Sequence, residues 1–167
     1  MMADQTDIFD ACRRGDVELV EKIYERNPDI IHVEDFKGFT PLIIAVYNNQ
    51  PAVVDFLLSK GARAEMQDQA GNTALMGVCF RGYIDIAKKL LDVGAEVNQR
   101  NYQGATALTF AATFGHLEIA ELLLQKGADM TIPDSRGKSA FDHAIIQENE
   151  DMIKLLQRYQ EADHDNQ

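Results

Sequence analysis

The stretch Asp35-Phe36-Lys37-Gly38-Phe39-Thr40-Pro41-Leu42-Ile43-Ile44-Ala45 decides how this chain folds. An Asp stands three residues before a Gly, a Thr two after it, and a Leu two further on. The arrangement returns every 33 residues, marked by Gly38, Gly71, Gly104 and Gly137. Asp35, Asp68, Asn101 and Asp134 precede these glycines; Thr40, Thr73, Thr106 and Ser139 follow; Leu42, Leu75, Leu108 and Phe141 come next. A second series, Gly61, Gly94 and Gly127, each followed by Ala, keeps the same interval, as do Leu57, Leu90, Leu123 and Leu156. A period of this length marks stacked supersecondary units.

Each column has a physical reason. The Thr/Ser hydroxyl suits a helix N-cap. Pro41 suits the first helical position, where its missing N–H removes no bond, and Pro51 can open a second helix in the same way. Leu42 and Ala45 face inward, and the small Ala lets paired helices approach. Gly61, Gly94 and Gly127 suit left-handed helix ends. Asp35 and its equivalents, with the glycine three later, predict a projecting turn.

These residues resemble the ankyrin repeat, whose pattern runs roughly D-x-x-G-x-T-P-L-H-x-A-A, then G-H-x-E, then L-L-L-x-x-G-A. Asp35–Leu42 carries the first part, Gly115-His116-Leu117-Glu118 the second and Leu122–Ala128 the third. The resemblance covers about residues 5–160. It implies an all-α ankyrin-repeat solenoid of five helix–turn–helix units with projecting hairpin fingers. The units are 1–34 (N-terminal cap), 35–67, 68–100, 101–133 and 134–160 (C-terminal cap), forming a single domain, 1–160. The first unit lacks the finger turn, has Asn27-Pro28 in place of the Gly-Ala ending, and is one residue longer. The last has Gln157, Gln160 and Glu161 where inner units carry Leu, Gly and Ala, as suits the polar end of a stack. Residues 161–167 are expected to be a disordered acidic tail.

The 167 residues carry a net charge of −11. A duplex-binding protein shows a basic footprint, so nucleic acid is disfavoured. Anionic membrane surfaces are disfavoured for the same reason, and no apolar run approaches the roughly 20 residues of a membrane span. Residues 1–7 are acidic and polar, unlike a signal peptide. Two cysteines fit a reducing compartment, so a cytoplasmic location is expected. Cys12 and Cys79 share a column two units apart, about 20 Å by the spacing of stacked helices, beyond the roughly 7 Å a disulfide spans. They are expected to be buried thiols.

No catalytic constellation emerges. His32, His116, His143 and His164 have no metal-ligand spacing, and no nucleophile elbow or phosphate-binding glycine motif occurs. His116 stands where ankyrin repeats commonly carry His, which implies a helix-start role. His143 is the histidine of a first-helix column that is otherwise apolar or small, and suits a polar group of the cap unit. The expectation is a protein without enzymatic activity, cofactor or metal.

The informative residues are those the repeat leaves free. Of eight Phe and five Tyr, six fall in finger-tip or exposed first-helix columns: Phe36, Phe39, Tyr47, Phe80, Tyr102 and Phe114. Contiguous exposed apolar surface marks an interaction site, and aromatics with Arg are frequent anchors. Lys37, Arg81, Arg100, Arg136 and Lys138 fall on the same face. The acidic surplus falls largely on second helices, at Asp55, Asp85, Glu118, Glu121 and Asp151. The expected role is a non-enzymatic protein–protein interaction module, expected to be a monomer, that holds a protein or peptide on its concave face and finger tips. Its predicted contact residues are Phe36, Lys37, Phe39, Tyr47, Phe80, Arg81, Arg100, Tyr102 and Phe114. The sequence also looks similar to small stand-alone bacterial ankyrin proteins, some encoded beside catalases. That resemblance implies two alternatives: an accessory to a haem enzyme such as catalase, with Tyr47, Tyr102 and His143 as candidates, or a bacterial effector or toxin-neutralising protein.

Overall fold

Each Thr or Ser of the repeated column starts a helix. In the computed structural model, which describes residues 2–165 and the side chains of residues 4–163, Thr40 Oγ1 accepts from the Ile43 N–H (3.2 Å) and Thr73 Oγ1 from the Met76 N–H (3.3 Å). Thr106 with Thr109, and Ser139 with Asp142, form reciprocal capping boxes. Each such cap stabilises its helix by about 1 kcal/mol.

Ten α-helices follow among the described residues: α1 (Met2–Arg14), α2 (Val17–Arg26), α3 (Pro41–Tyr47), α4 (Pro51–Ser59), α5 (Ala74–Arg81), α6 (Ile84–Asp92), α7 (Ala107–Phe114), α8 (Leu117–Gln125), α9 (Ala140–Ile146) and α10 (Glu150–Asp165). A single 3₁₀ turn, Pro28–His32, closes the first unit where the Gly-Ala ending is missing. Pro41 and Pro51 open α3 and α4. First helices stack in the order α1, α3, α5, α7, α9, and second helices in the order α2, α4, α6, α8, α10. One continuous core runs through the stack, with Leu42, Ala45, Leu57, Leu75, Leu90, Leu108, Leu123 and Leu156 buried.

Cys12 and Cys79 are buried free thiols in that core. Burial pushes the Cys12 thiol up to about 12 and raises Cys79 further.

The fingers are turns locked by their aspartates. Asp35 Oδ1 accepts from the backbone N–H of Lys37 (2.8 Å) and of Phe39 (2.9 Å). Asp68, Asn101 and Asp134 do the same one, two and three units on. Successive fingers are joined by backbone hydrogen bonds: the N–H of Gln69, Tyr102 and Ser135 donates to the carbonyl of Lys37 (3.0 Å), Ala70 (3.1 Å) and Gln103 (2.8 Å). The finger row is therefore one connected ribbon.

One end effect corrects the sequence reading. Residues 161–165, expected to be disordered, continue α10 to Asp165. The segment Gln160-Glu161-Ala162-Asp163-His164-Asp165 contains no Gly or Pro to stop the helix. Residues 166 and 167 lie outside the described residues.

Candidate functional site

Phe36 sits at the tip of the first finger. The unit before it has no finger, and the ring is 82% exposed. Lys37 Nζ lies 5.6 Å from its centroid. Tyr102 occupies the same column two units on and is 70% exposed. It has support from the preceding finger: a Cβ at Gly71 would meet Tyr102 N at 2.6 Å and Cδ1 at 2.7 Å. Glycine at 71 is what allows the two fingers to close up.

The rings at the helix ends fall into two groups. Tyr47 lies half-buried against α5, where a Cβ at Gly77 would meet its Cε2 at 3.0 Å. Phe39, also half-buried, leans on Tyr47 with centroids 6.2 Å apart. Arg81 covers the Tyr47 ring, its guanidinium carbon 5.7 Å from the centroid. A cation over an exposed ring contributes about 0.5–1 kcal/mol. Burial and the Asp68 carboxylate raise the Tyr47 phenol above its ordinary value, Arg81 acting against them, so the phenol stays protonated at neutral pH. Phe36, Phe39, Ile44, Tyr47, Asn48, Lys37, Asp35 and Arg13 enclose a cleft of 490 Å³.

The second group is Phe80 and Phe114, 40% and 48% exposed, in edge-to-face contact at 4.7 Å between centroids. Phe110, half-buried, stacks on Phe114 at 6.5 Å. Such pairs contribute about 0.5–1.5 kcal/mol beyond their buried area. His116 holds this helix end. Standing at the N-cap of α8, its Nε2 lies 3.0 Å from the Phe80 carbonyl. Gln50, in the same column two units earlier, donates from Nε2 to the Arg13 carbonyl (3.1 Å), the position equivalent to Phe80.

Arg100 is placed differently from the other predicted contact residues. Its Nε donates to the Gly104 carbonyl (3.1 Å) and its Nη2 to the Pro133 carbonyl (2.7 Å). Gln67, one unit earlier, makes the matching pair of bonds to Gly71 O (2.8 Å) and Arg100 O (3.1 Å). Arg100 thus ties its own finger to the start of the next.

His143 is half-buried, with Nε2 2.8 Å from Asp134 Oδ2 in the last unit. The haem candidates Tyr47, Tyr102 and His143 belong to three different units, and His143 Nε2 is already engaged. Among the described residues no group of three or more His, Cys, Asp or Glu is arranged to hold a metal ion, and no helix is long and apolar enough to cross a membrane.

Ile145 and Ile146 were not among the predicted contact residues, yet both are exposed on α9. Ile145 falls in the column of buried Val46, Cys79 and Ala112. Those are covered by the first helix of the following unit, and among the described residues none follows α9. The position at the end of the stack was the signal in the sequence.

A solenoid of paired helices with a ribbon of fingers and a row of rings along its front defines a repeat protein with an extended surface. Residues 8–101 and 97–167 match the family described as "Ankyrin repeats (3 copies)", and the chain belongs to it. It is 35% identical over 81 residues to rat "Ankyrin repeat and SAM domain-containing protein 6", covering 48% of this chain and 9% of that protein. It is 39% identical over 67 residues to mouse "Ankyrin repeat family A protein 2", covering 40% of this chain and 21% of that protein. It is 38% identical over 72 residues to "BTB/POZ domain-containing protein 3" of Schizosaccharomyces pombe, covering 42% of this chain and 14% of that protein. The likeness therefore spans a small part of each relative. Repeats of this family are generally protein–protein interaction modules and typically non-enzymatic.

Proposed function

We propose that this chain binds a protein or peptide partner along its concave front and finger tips, and that Phe36, Phe80, Tyr102 and Phe114 are the principal anchors. The observation that carries this reading is the exposure of four large rings in columns the repeat leaves free. Phe36 and Tyr102 stand on the fingers, and Phe80 and Phe114 pair at the ends of α5 and α7. The ribbon of finger hydrogen bonds supports the reading, because prealigned rings lose little conformational freedom on binding. The acidic second-helix face, with Asp55, Asp85, Glu118 and Asp151 exposed, serves solubility. The two buried free cysteines support a cytoplasmic location.

The test is capture of partners from a native extract by immobilised wild-type chain and by the variant F36A/F80A/Y102A/F114A, with E118Q on the back as control. Capture is expected to vanish in the quadruple variant and persist in E118Q. Loss of the Phe80–Phe114 pair should lower Tm by about 3 °C. A fall beyond about 10 °C would identify the rings as core and overturn the reading.

A further inference from the structure

The finger and helix around Tyr47 combine an apolar floor with basic side chains that have no acidic partner. Phe36, Phe39, Ile44 and Tyr47 form the floor of the 490 Å³ cleft. Lys37 stands over one ring and Arg81 over another. Neither forms an ion pair among the described residues, in a chain of net charge −11. Asp35, which lines the cleft, and Asp68 keep their charge but are fixed to the finger backbone, each accepting two N–H groups at Oδ1, and neither pairs with Lys37 or Arg81; Asp10 pairs with Arg13 and Arg14.

We propose that this cleft is specific for an acidic peptide segment of a partner, in which an aromatic or large aliphatic side chain is flanked by carboxylates. This rests on the concave-front reading above and names the partner's chemistry. The apolar side chain lies against Phe36, Phe39, Tyr47 and Ile44. Its neighbouring carboxylates meet Lys37 on one side and Arg81 on the other. Charge complementarity selects this occupant: a basic segment would leave Lys37 and Arg81 facing like charge, and a neutral one would leave them without a counter-charge at the rim. Discrimination at an interface comes largely from such pairings.

The probe is a phage-displayed library of random dodecapeptides selected on the full chain, with enriched sequences synthesised and titrated by fluorescence anisotropy. Enriched peptides are expected to carry an aromatic or large aliphatic residue with Asp or Glu within two positions. Their affinity should fall about tenfold or more in K37Q/R81Q, fall in F36A, whose ring is 82% exposed, and weaken between about 0.05 and about 0.5 M salt. Basic or charge-neutral enriched sequences, affinities indifferent to K37Q/R81Q, or no enrichment would each overturn the proposal. In those cases the concave-front reading still stands or falls on the extract capture. Light scattering of the chain alone separates one further occupant: a concentration-dependent dimer abolished by K37Q/R81Q would assign the cleft to a second copy and overturn the peptide assignment.

Discussion

Glu148 holds a left-handed backbone conformation (φ 55°) in the column where Gly15, Gly82 and Gly115 stand, and Asn49 does the same at φ 54°. Asn tolerates that region through its short polar side chain, whereas Glu carries the full Cβ penalty of roughly 1–2 kcal/mol. Part of that penalty is offset in a glycine variant by greater freedom of the unfolded chain. E148G is therefore expected to raise stability by about 0.5–1 kcal/mol, read from the urea midpoint at unchanged slope. Asp134 offers a second single-residue test. Burial alone would raise its pKa, but the His143 hydrogen bond and the N–H groups of Lys138 and Arg136 outweigh it and bring the carboxyl below the ordinary aspartate value. A depressed folded-state pKa means stability that is fully present above the unfolded value of about 4 and is lost as pH falls through the folded one. H143A is expected to bring the folded pKa back toward that value. Urea titrations across the acid range should then show a shallower loss of stability below about pH 4 than in wild type; an unchanged profile would show that His143 does not hold the carboxylate.

At the scale of an element, a finger is held less by its own turn than by its neighbours. Backbone bonds such as Tyr102 N–H to Ala70 O recur along the row, and the side chains of Gln67 and Arg100 clamp adjoining fingers in register. Arg100 and Arg81 look alike on the sequence, each beside an aromatic in a free column. The structure separates them: Arg100 donates to two carbonyls, whereas Arg81 rests on a ring with no hydrogen-bond acceptor among the described residues. R100A is therefore expected to cost about 1 kcal/mol of stability, and R81A less than about 0.5 kcal/mol. Thermal melts of the two variants side by side measure this, and equal effects would remove the clamp role. Thr73 and its equivalents were readable as caps because capping is local. The partner carbonyl of Arg100 lies 33 residues away, and no spacing rule says which long side chain reaches back to the backbone.

Across the whole molecule, each unit touches its neighbours alone, so stability is close to a sum of unit and interface terms. The inner units are covered on both sides. α9 carries exposed Ile145 where an inner unit is covered by the next first helix. Hydrogen exchange should consequently be fastest in α9 and α10, slowest in α5 and α7, and graded between them. Uniform exchange, followed by mass spectrometry of peptic fragments, would indicate a single cooperative unit instead. Local and periodic features were determined by the sequence alone: the 33-residue interval, the Thr and Ser caps, the Asp-x-x-Gly fingers, and the Leu and Ala columns of the core. Each depends on steric and hydrogen-bonding rules that act within a few residues and repeat. The front surface was decided by tertiary structure. Six rings that form one stripe in the sequence become a cleft around Tyr47, a Phe80–Phe114 pair and a lone Tyr102. That division arises because Gly77 and Gly71 leave room on the adjoining unit for Tyr47 and Tyr102, while no finger precedes Phe36. Which ring finds support and which stays free depends on what the neighbouring unit presents across the stack, and that is a property of packed units rather than of any one of them.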